Sequence, residues 1–257
     1  MDTSVRTPQL VFMQPQRLIV PLFQRPYVWN RENQWEPLWK DVVRVAERLL
    51  AAPDIQHQPH FLGAVVVQQM QNPTGSLQVR TVIDGQQRLT TLQLLLDAIH
   101  AELIALGATT PAMRIEALVV NPEAFCSRPE DRFKVWPTNR DRPAFNCVMG
   151  AEPPILYGEL DHKDARLVEA HKYFAEQSRS WLQLNGTEDV IVRAEKLDYV
   201  IRELLQLVVI DLTADENAQE IFRDPQCPRR PSNRCRPDQE LCLPTSYGGR
   251  HRCRRGI

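Results

Sequence analysis

The sequence has no apolar run near the roughly 18 residues that cross a bilayer as a helix, so no membrane segment is expected. Its opening residues, Met1-Asp2-Thr3-Ser4-Val5-Arg6, lack the apolar stretch of a secretory signal. Together these absences set a cytoplasmic expectation. Positive charge is missing where a general nucleic-acid surface would need it. The formal charge is −1 overall, but residues 223–257 hold nine Arg, no Lys and three acids (Asp224, Asp238, Glu240), a sum of +6 that leaves −7 on residues 1–222. An acidic body argues against a broad DNA-binding surface and leaves only a local basic groove open. Cysteine is sparse: Cys126 and Cys147 stand alone in the body and read as buried or inert thiols. Cys227, Cys235, Cys242 and Cys253 crowd the end at intervals of eight, seven and eleven, which does not match the C-x₂₋₄-C pairs of zinc sites. There is no internal repeat. What remains, 43% hydrophobic and 25% charged residues in 257, is a soluble composition long enough for one large domain or two smaller ones.

The chain is organised around Thr81-Val82-Ile83-Asp84-Gly85-Gln86-Gln87-Arg88-Leu89-Thr90-Thr91. A β-type run ends in Asp-Gly, and a polar turn opens a helix. Leu92, Leu95, Leu96, Ile99, Leu103 and Leu106 fall at three- and four-residue spacing on its buried face. Free N–H groups at a helix start, the helix dipole and an Arg side chain together attract an anion. Gln86, Gln87, Arg88, Thr90 and Thr91 lie in the first turns of that helix, and Asp84 stands where a carboxylate can hold a metal or a ribose hydroxyl. The alternative is ordinary turn chemistry, with Asp84 simply capping the helix.

Elsewhere, residues 1–17 read as a lead-in, with a short strand at Leu18–Pro21. Asn30 can cap a helix beginning near Glu36, with Pro37 in its early part, and Trp29, Trp35 and Trp39 read as core. Phe61–Gln68 reads as a buried strand, Asn72–Ser76 as a turn, and Leu77–Ile83 as the returning strand of a hairpin. Ile115–Val120 and Arg132–Pro137 are predicted as short strands, and Asp141–Met149 as a helix. Lys163–Leu184 and Glu188–Leu205 are long helices broken at Asn185-Gly186-Thr187, and Leu207–Leu212 is a last strand. His57 and His60, three apart near a strand start, read as loop polarity rather than metal ligands. Periodicity thus gives an α+β, mixed α/β domain.

At Phe222 the folded pattern stops. Residues 223–257 hold five Pro, four Cys and nine Arg, but only Leu241, Leu243 and Ile257 among Leu, Ile, Val and Phe. They have no periodicity from which to build a core, so the segment is expected to be disordered and foreign to the domain before it. We hypothesise a frameshift near this point. A genuine basic tail is the alternative, although such tails more often mix Lys with Arg and avoid Cys in a reducing compartment. Sequencing codons 215–230 in independent isolates decides it: one unbroken frame encoding the same tail overturns the frameshift.

Several blocks occur in order: Val20-Pro21-Leu22-Phe23-Gln24-Arg25-Pro26-Tyr27-Val28-Trp29, Leu38-Trp39-Lys40-Asp41, Phe61-Leu62-Gly63, Val82 to Leu92, Val135-Trp136-Pro137-Thr138-Asn139-Arg140-Asp141, and Glu216-Asn217-Ala218-Gln219-Glu220-Ile221-Phe222. This series resembles the N-terminal domain of GmrSD-type restriction endonucleases over roughly residues 10–222. The resemblance implies a ParB/sulfiredoxin-like nucleotide-binding core at 1–107 carrying Asp-Gly-Gln-Gln-Arg, a mainly helical extension at 108–222, and then the tail at 223–257. It implies a phage-defence restriction system in which hydrolysis of GTP or ATP with Mg²⁺ regulates DNA cleavage. Carried over by position, Asp84, Gln86, Gln87 and Arg88 would be catalytic, Asp84 would hold the metal, and Gln24, Arg25, Gly85, Thr90 and Thr91 would bind the nucleotide. The six histidines show no His-Asn-His nuclease arrangement, so this chain is expected not to cut DNA itself and to reach DNA through a missing C-terminal part or a partner subunit. The competing readings are a non-catalytic DNA- or partner-binding module and an inactive, decayed gene product.

Overall fold

Val65-Val66-Val67, three consecutive β-branched residues buried on both faces, can lie only in the interior of a sheet. The computed structural model, which describes residues 1–216 apart from 74, 75, 185, 187 and 188, builds a six-stranded sheet around them. In chain order the elements are β1 (Asp2–Arg6), α1 (Pro8–Phe12), β2 (Gln16–Ile19), a wide helical turn at Arg31–Trp35, α2 (Glu36–Ala51), β3 (His60–Gln69), β4 (Gln78–Asp84), α3 (Gln86–Ala105), α4 (Thr109–Val119), β5 (Val135–Trp136), α5 (Arg142–Met149), α6 (Arg166–Leu182), α7 (Val190–Tyr199), a second wide turn at Val200–Leu204, and β6 (Leu205–Leu212). The sheet order is β1-β6-β3-β4-β2-β5. β3 and β4 form the expected antiparallel hairpin, β6 runs parallel to β3, and β2 runs parallel to both β4 and β5. The fold is mixed α/β.

α3 is the centre of the helical layer. The sequence predicted one buried face, but Leu94 and Ala98 are as buried as Leu92, Leu95, Leu96 and Ile99. The helix packs against α4 and α6 and also contacts β3 and β5, so every residue from Leu89 to Ile99 is buried whichever way it points. Several of its buried polar residues are partnered, although Gln93 Oε1 is buried without a partner. Glu102 receives two bonds from Arg179 (2.6 and 3.1 Å), Gln93 donates to the Leu118 carbonyl (3.1 Å), and Asp97 lies 3.0 Å from His171 Nε2.

Two expectations change. Residues 1–17 are not a loose lead-in: β1 pairs with β6 antiparallel, and β2 begins at Gln16. Ile115–Val120 is not a strand. Ala112, Ile115, Leu118 and Val119 are buried on one face of α4, a three-and-four spacing, and only Val120 makes a single bridge, with Phe133. The 108–222 segment also supplies a strand: β6 lies between β1 and β3 in the sheet. Without it β3 would expose its buried edge, so Met1–Ile221 is one compact unit. The tail at 223–257, the Asn217–Phe222 part of the last block and most of the Asn185-Gly186-Thr187 break lie outside the described residues. Among the described residues no helix is long and apolar enough to cross a membrane.

Candidate active site

β4 ends at Asp84, and the chain turns into α3 through Gly85, which has φ +86° and serves as the N-cap. A Cβ at Gly85 would sit 2.7 Å from Val65 Cγ1 and 3.1 Å from Val65 Cα, so both the left-handed backbone and the close approach to β3 require glycine. Glycine also leaves α3 with no side-chain cap. Asp84 does not cap the helix, which removes the ordinary-turn alternative for its carboxylate. The first-turn N–H groups lack intrahelical partners and carry the positive end of the helix dipole.

The segment between β2 and α2 runs across this helix start and is held at successive residues. Gln24 Nε2 donates to the Ile83 carbonyl (2.8 Å), Gln86 Nε2 to the Arg25 carbonyl (3.0 Å) and Gln87 Nε2 to the Pro26 carbonyl (3.0 Å). The Val28 N–H donates to Gln87 Oε1 (2.9 Å), and Arg166 Nη1 donates to the Val28 carbonyl (2.6 Å). The Tyr27 N–H donates to Asp141 Oδ2 (3.0 Å), which also accepts from the Thr138 hydroxyl (2.7 Å). Tyr27 OH lies 2.6 Å from Thr91 Oγ1 and accepts from Trp35 Nε1 (2.9 Å). Burial pushes that phenol well above its ordinary pKa. Side chains from three distant stretches therefore fix the loop's main chain, and Arg25 is left exposed with a guanidinium that no group among the described residues engages.

Arg88, one turn into α3, reaches back to β3. Its Nη1 donates to the Ala64 carbonyl, and its Nε is buried without a partner. It fits because Gly63 has φ +104° and no side chain: a Cβ there would lie 2.7 Å from Arg88 Nη2 and 2.8 Å from Cζ. Gly63 falls within the register shift between Phe61 and Ala64 in the β3–β6 pairing, and such a bulge opens space in a strand. Burial pulls the Arg88 guanidinium below its ordinary pKa, and the Asp84 carboxylate opposes that shift. An arginine starting above 12 remains a cation.

Gln24, Arg25, Trp29, Asp84, Gly85, Gln86, Gln87 and Arg88 line one open cleft of about 540 Å³. Seven of the nine sequence-predicted site residues meet there. Thr90 and Thr91 do not: they are 4% and 0% exposed, on the part of α3 turned into the core, and the Thr91 hydroxyl is spent on Gln87 O (2.8 Å) and Tyr27. The two glutamines are buried clamps for the loop. Gln87 uses both ends of its amide on the loop, whereas Gln86 keeps Oε1 free of protein partners. Of the three tryptophans read as core, Trp35 and Trp39 are buried and Trp29 instead forms a wall of the cleft. Sequence reading missed Gly63 and Trp29. An isolated glycine within a strand pattern signals a bulge or close approach, but Trp29 carried no distinguishing signal.

Asp84 is the candidate metal ligand. It is exposed, with no ion-pair or hydrogen-bond partner, and no group of three or more His, Cys, Asp or Glu converges anywhere among the described residues. That donor set suits Mg²⁺ held by one carboxylate, phosphate oxygens and water, and not a protein-built cage.

No curated protein matches the chain. The model of the family described as "GmrSD restriction endonuclease, N-terminal domain" matches residues 9–224, a span that includes the clamped loop, the Asp84–Arg88 turn and the Asp141 block that steadies them. The chain belongs to the GmrSD restriction endonuclease N-terminal domain family.

Proposed function

We propose that the cleft binds and hydrolyses a nucleoside triphosphate, GTP or ATP, with Mg²⁺, as the regulatory step of a modification-dependent phage-defence restriction system. On this reading the core follows the ParB/sulfiredoxin-like plan that the resemblance implies, and DNA is reached through a C-terminal part or a partner subunit. The observation that carries the reading is the convergence of two arginines, one free carboxylate and an uncapped helix N-terminus on a single cleft. Phosphate is the ligand chemistry this set recognises.

The roles follow from the geometry. Arg88 is anchored on β3 and Arg25 is free, so one holds a fixed phosphate oxygen while the other closes on the terminal group. The α3 N–H groups take a second phosphate without a competing side chain. Bound Mg²⁺ would neutralise phosphate charge, with Asp84 as its protein ligand. Gln86 Oε1, unbonded among the described residues, would orient water as an acceptor. The water oxygen attacks the terminal phosphorus, the bond to the bridging oxygen breaks, and a nucleoside diphosphate and phosphate leave.

Titration calorimetry of the 257-residue chain with GTP and ATP, with and without Mg²⁺, tests this. Saturable binding that disappears in Arg88→Ala is the expected result. Absence of binding by folded protein, or binding indifferent to Arg88, refutes it.

A further inference from the structure

A second cavity, of about 210 Å³, opens beside the first and is lined by Trp29, Gln34, Leu38, Asp41, His60, Phe61, Leu62, Arg88 and Leu92. It shares Trp29 and Arg88 with the cleft, so the two meet at one indole and one guanidinium. Their chemistry differs. The cleft is polar and cationic, while the smaller cavity has Leu38, Leu62 and Leu92 as walls and two aromatic rings, Trp29 and Phe61. Among the described residues neither ring packs against another aromatic ring, unlike Trp35, which lies tilted against Tyr173, and Phe133, which meets Phe145 edge to face. Phe61 is 55% exposed at the start of β3. A ring this exposed beside an apolar slot is open to a stacking partner.

The polar rim is small and fixed. Asp41 Oδ2 lies 3.1 Å from His60 Nε2, and its Oδ1 accepts from Arg44. Gln34 Oε1 accepts from the Asn30 N–H (3.0 Å), which leaves its Nε2 donors free. Gln34 thus offers donors and Asp41 an acceptor at the edge of an apolar slot. Planar heterocycles are recognised in this way, by stacking on a face and hydrogen bonding along an edge.

We infer that this cavity is the nucleobase subsite: Trp29 and Phe61 stack on the base, Gln34 and Asp41 read its edge, and Arg88 marks the passage from base to phosphates. The inference rests on the proposed triphosphate site and adds where the rest of the nucleotide lies. It explains why Trp29, alone of the three tryptophans near α2, is not buried. It also explains why the Phe61-Leu62-Gly63 block is needed twice, with Gly63 admitting Arg88 and Phe61 facing the base.

Affinities of the full chain for ATP, GTP, CTP, UTP and inorganic triphosphate, each with Mg²⁺, provide the test. They are compared in wild type, Leu38→Trp, which fills the cavity, and Phe61→Ala, an exposed change that spares the core. At least one nucleotide is expected to bind roughly 5- to 100-fold more tightly than triphosphate, as base stacking on aromatics allows. Leu38→Trp should abolish that advantage and Phe61→Ala should reduce it, with triphosphate affinity unchanged in both. If the variants keep the full nucleotide advantage while folded, the base lies elsewhere. Nucleotides binding no better than triphosphate, with triphosphate still dependent on Arg88, overturn the base subsite and leave the phosphate reading intact. If neither ligand binds, both readings fall.

Discussion

Gly63→Ala isolates how β3 serves the site. A methyl group at this position meets Arg88 Nη2, Cζ and Nε at 2.7, 2.8 and 3.0 Å, and the backbone sits at φ +104°. The two consequences fall on different observables. Holding alanine at that φ costs about 1–3 kcal/mol, and in a domain of this size each kcal/mol lowers Tm by about 2–4 °C. The steric clash is with the end of a flexible side chain, so the fold survives and Arg88 is displaced. An arginine–phosphate hydrogen bond contributes about 1.5–3 kcal/mol, so triphosphate affinity should fall about 10- to 150-fold.

A double-mutant cycle separates the two effects. If Gly63→Ala acts on binding through Arg88, it should weaken triphosphate binding in the wild-type background and have no further effect once Arg88 is alanine, while its stability cost persists in both. Calorimetry gives the affinities and urea denaturation the stabilities. Equal loss of affinity in the presence and absence of Arg88 would show that Gly63 shapes the cleft by another route, and would refute the claim that the β3 bulge exists to seat this arginine. Residues in contact are expected to be non-additive by 0.5–3 kcal/mol, well within reach of the measurement.

Gln87→Leu removes both bonds that the amide makes to the loop, and the Val28 amide should then exchange with solvent markedly faster while amides in the middle of α3 keep their protection; unchanged Val28 exchange would deny the clamp. Lys134 is fully buried with one carbonyl partner, Gln14 O at 3.2 Å, and desolvation lowers its pKa to about 8 from 10.5. The folded state therefore releases its proton before the unfolded state does, so stability rises with pH between about 8 and 10.5, and the penalty is fully present below 8. Lys134→Met should be the more stable protein at pH 7 by up to about 3 kcal/mol, less the lost hydrogen bond, with the margin shrinking through pH 8–10.5; a margin independent of pH would refute the assignment.

Strong local signals were legible before the structure. The Asn72–Ser76 turn between two β-type runs correctly placed the β3–β4 hairpin, and Asp84-Gly85 before a Leu-rich run correctly placed the strand–helix junction. Asn30 caps the turn that leads into α2, accepting from the Asn33 N–H, and Pro37 sits in the first turn of that helix. What could not be read depends on distance along the chain. Nothing local in Asp2–Arg6 says that it will pair with residues 207–211, and edge strands carry little apolar pattern to betray them. Ile115–Val120 failed because a short β-branched run fits either period; burial against α3 decided for the helix. In the candidate site, Gln24, Arg25 and Asp84–Arg88, grouped from the sequence, line one cleft, but local pattern could not tell side chains facing the cleft from those turned toward the protein. Thr90 and Thr91 follow Arg88 directly, yet the helix rotates their side chains into the core.

That rotation divides the labour of the Asp-Gly-Gln-Gln-Arg turn. Read as a string, its five residues look equally catalytic. In space, Gly85 supplies a backbone conformation, Gln87 and one end of Gln86 satisfy the loop's main chain, and only Asp84, Arg88 and Gln86 Oε1 remain for a ligand. The loop has no regular structure to pair its main chain, and the carbonyls of Arg25, Pro26 and Val28 and the N–H groups of Tyr27 and Val28 pair with side chains instead. Fixing it before the ligand arrives removes ordering entropy from the binding step. On the proposed reading the glutamines would act on affinity through Arg25, since they hold its own carbonyl and that of Pro26. A substitution at Gln87 and one at Arg25 should accordingly be redundant for triphosphate binding, whereas Gln87 and Arg88 should be independent, since Arg88 takes its position from β3.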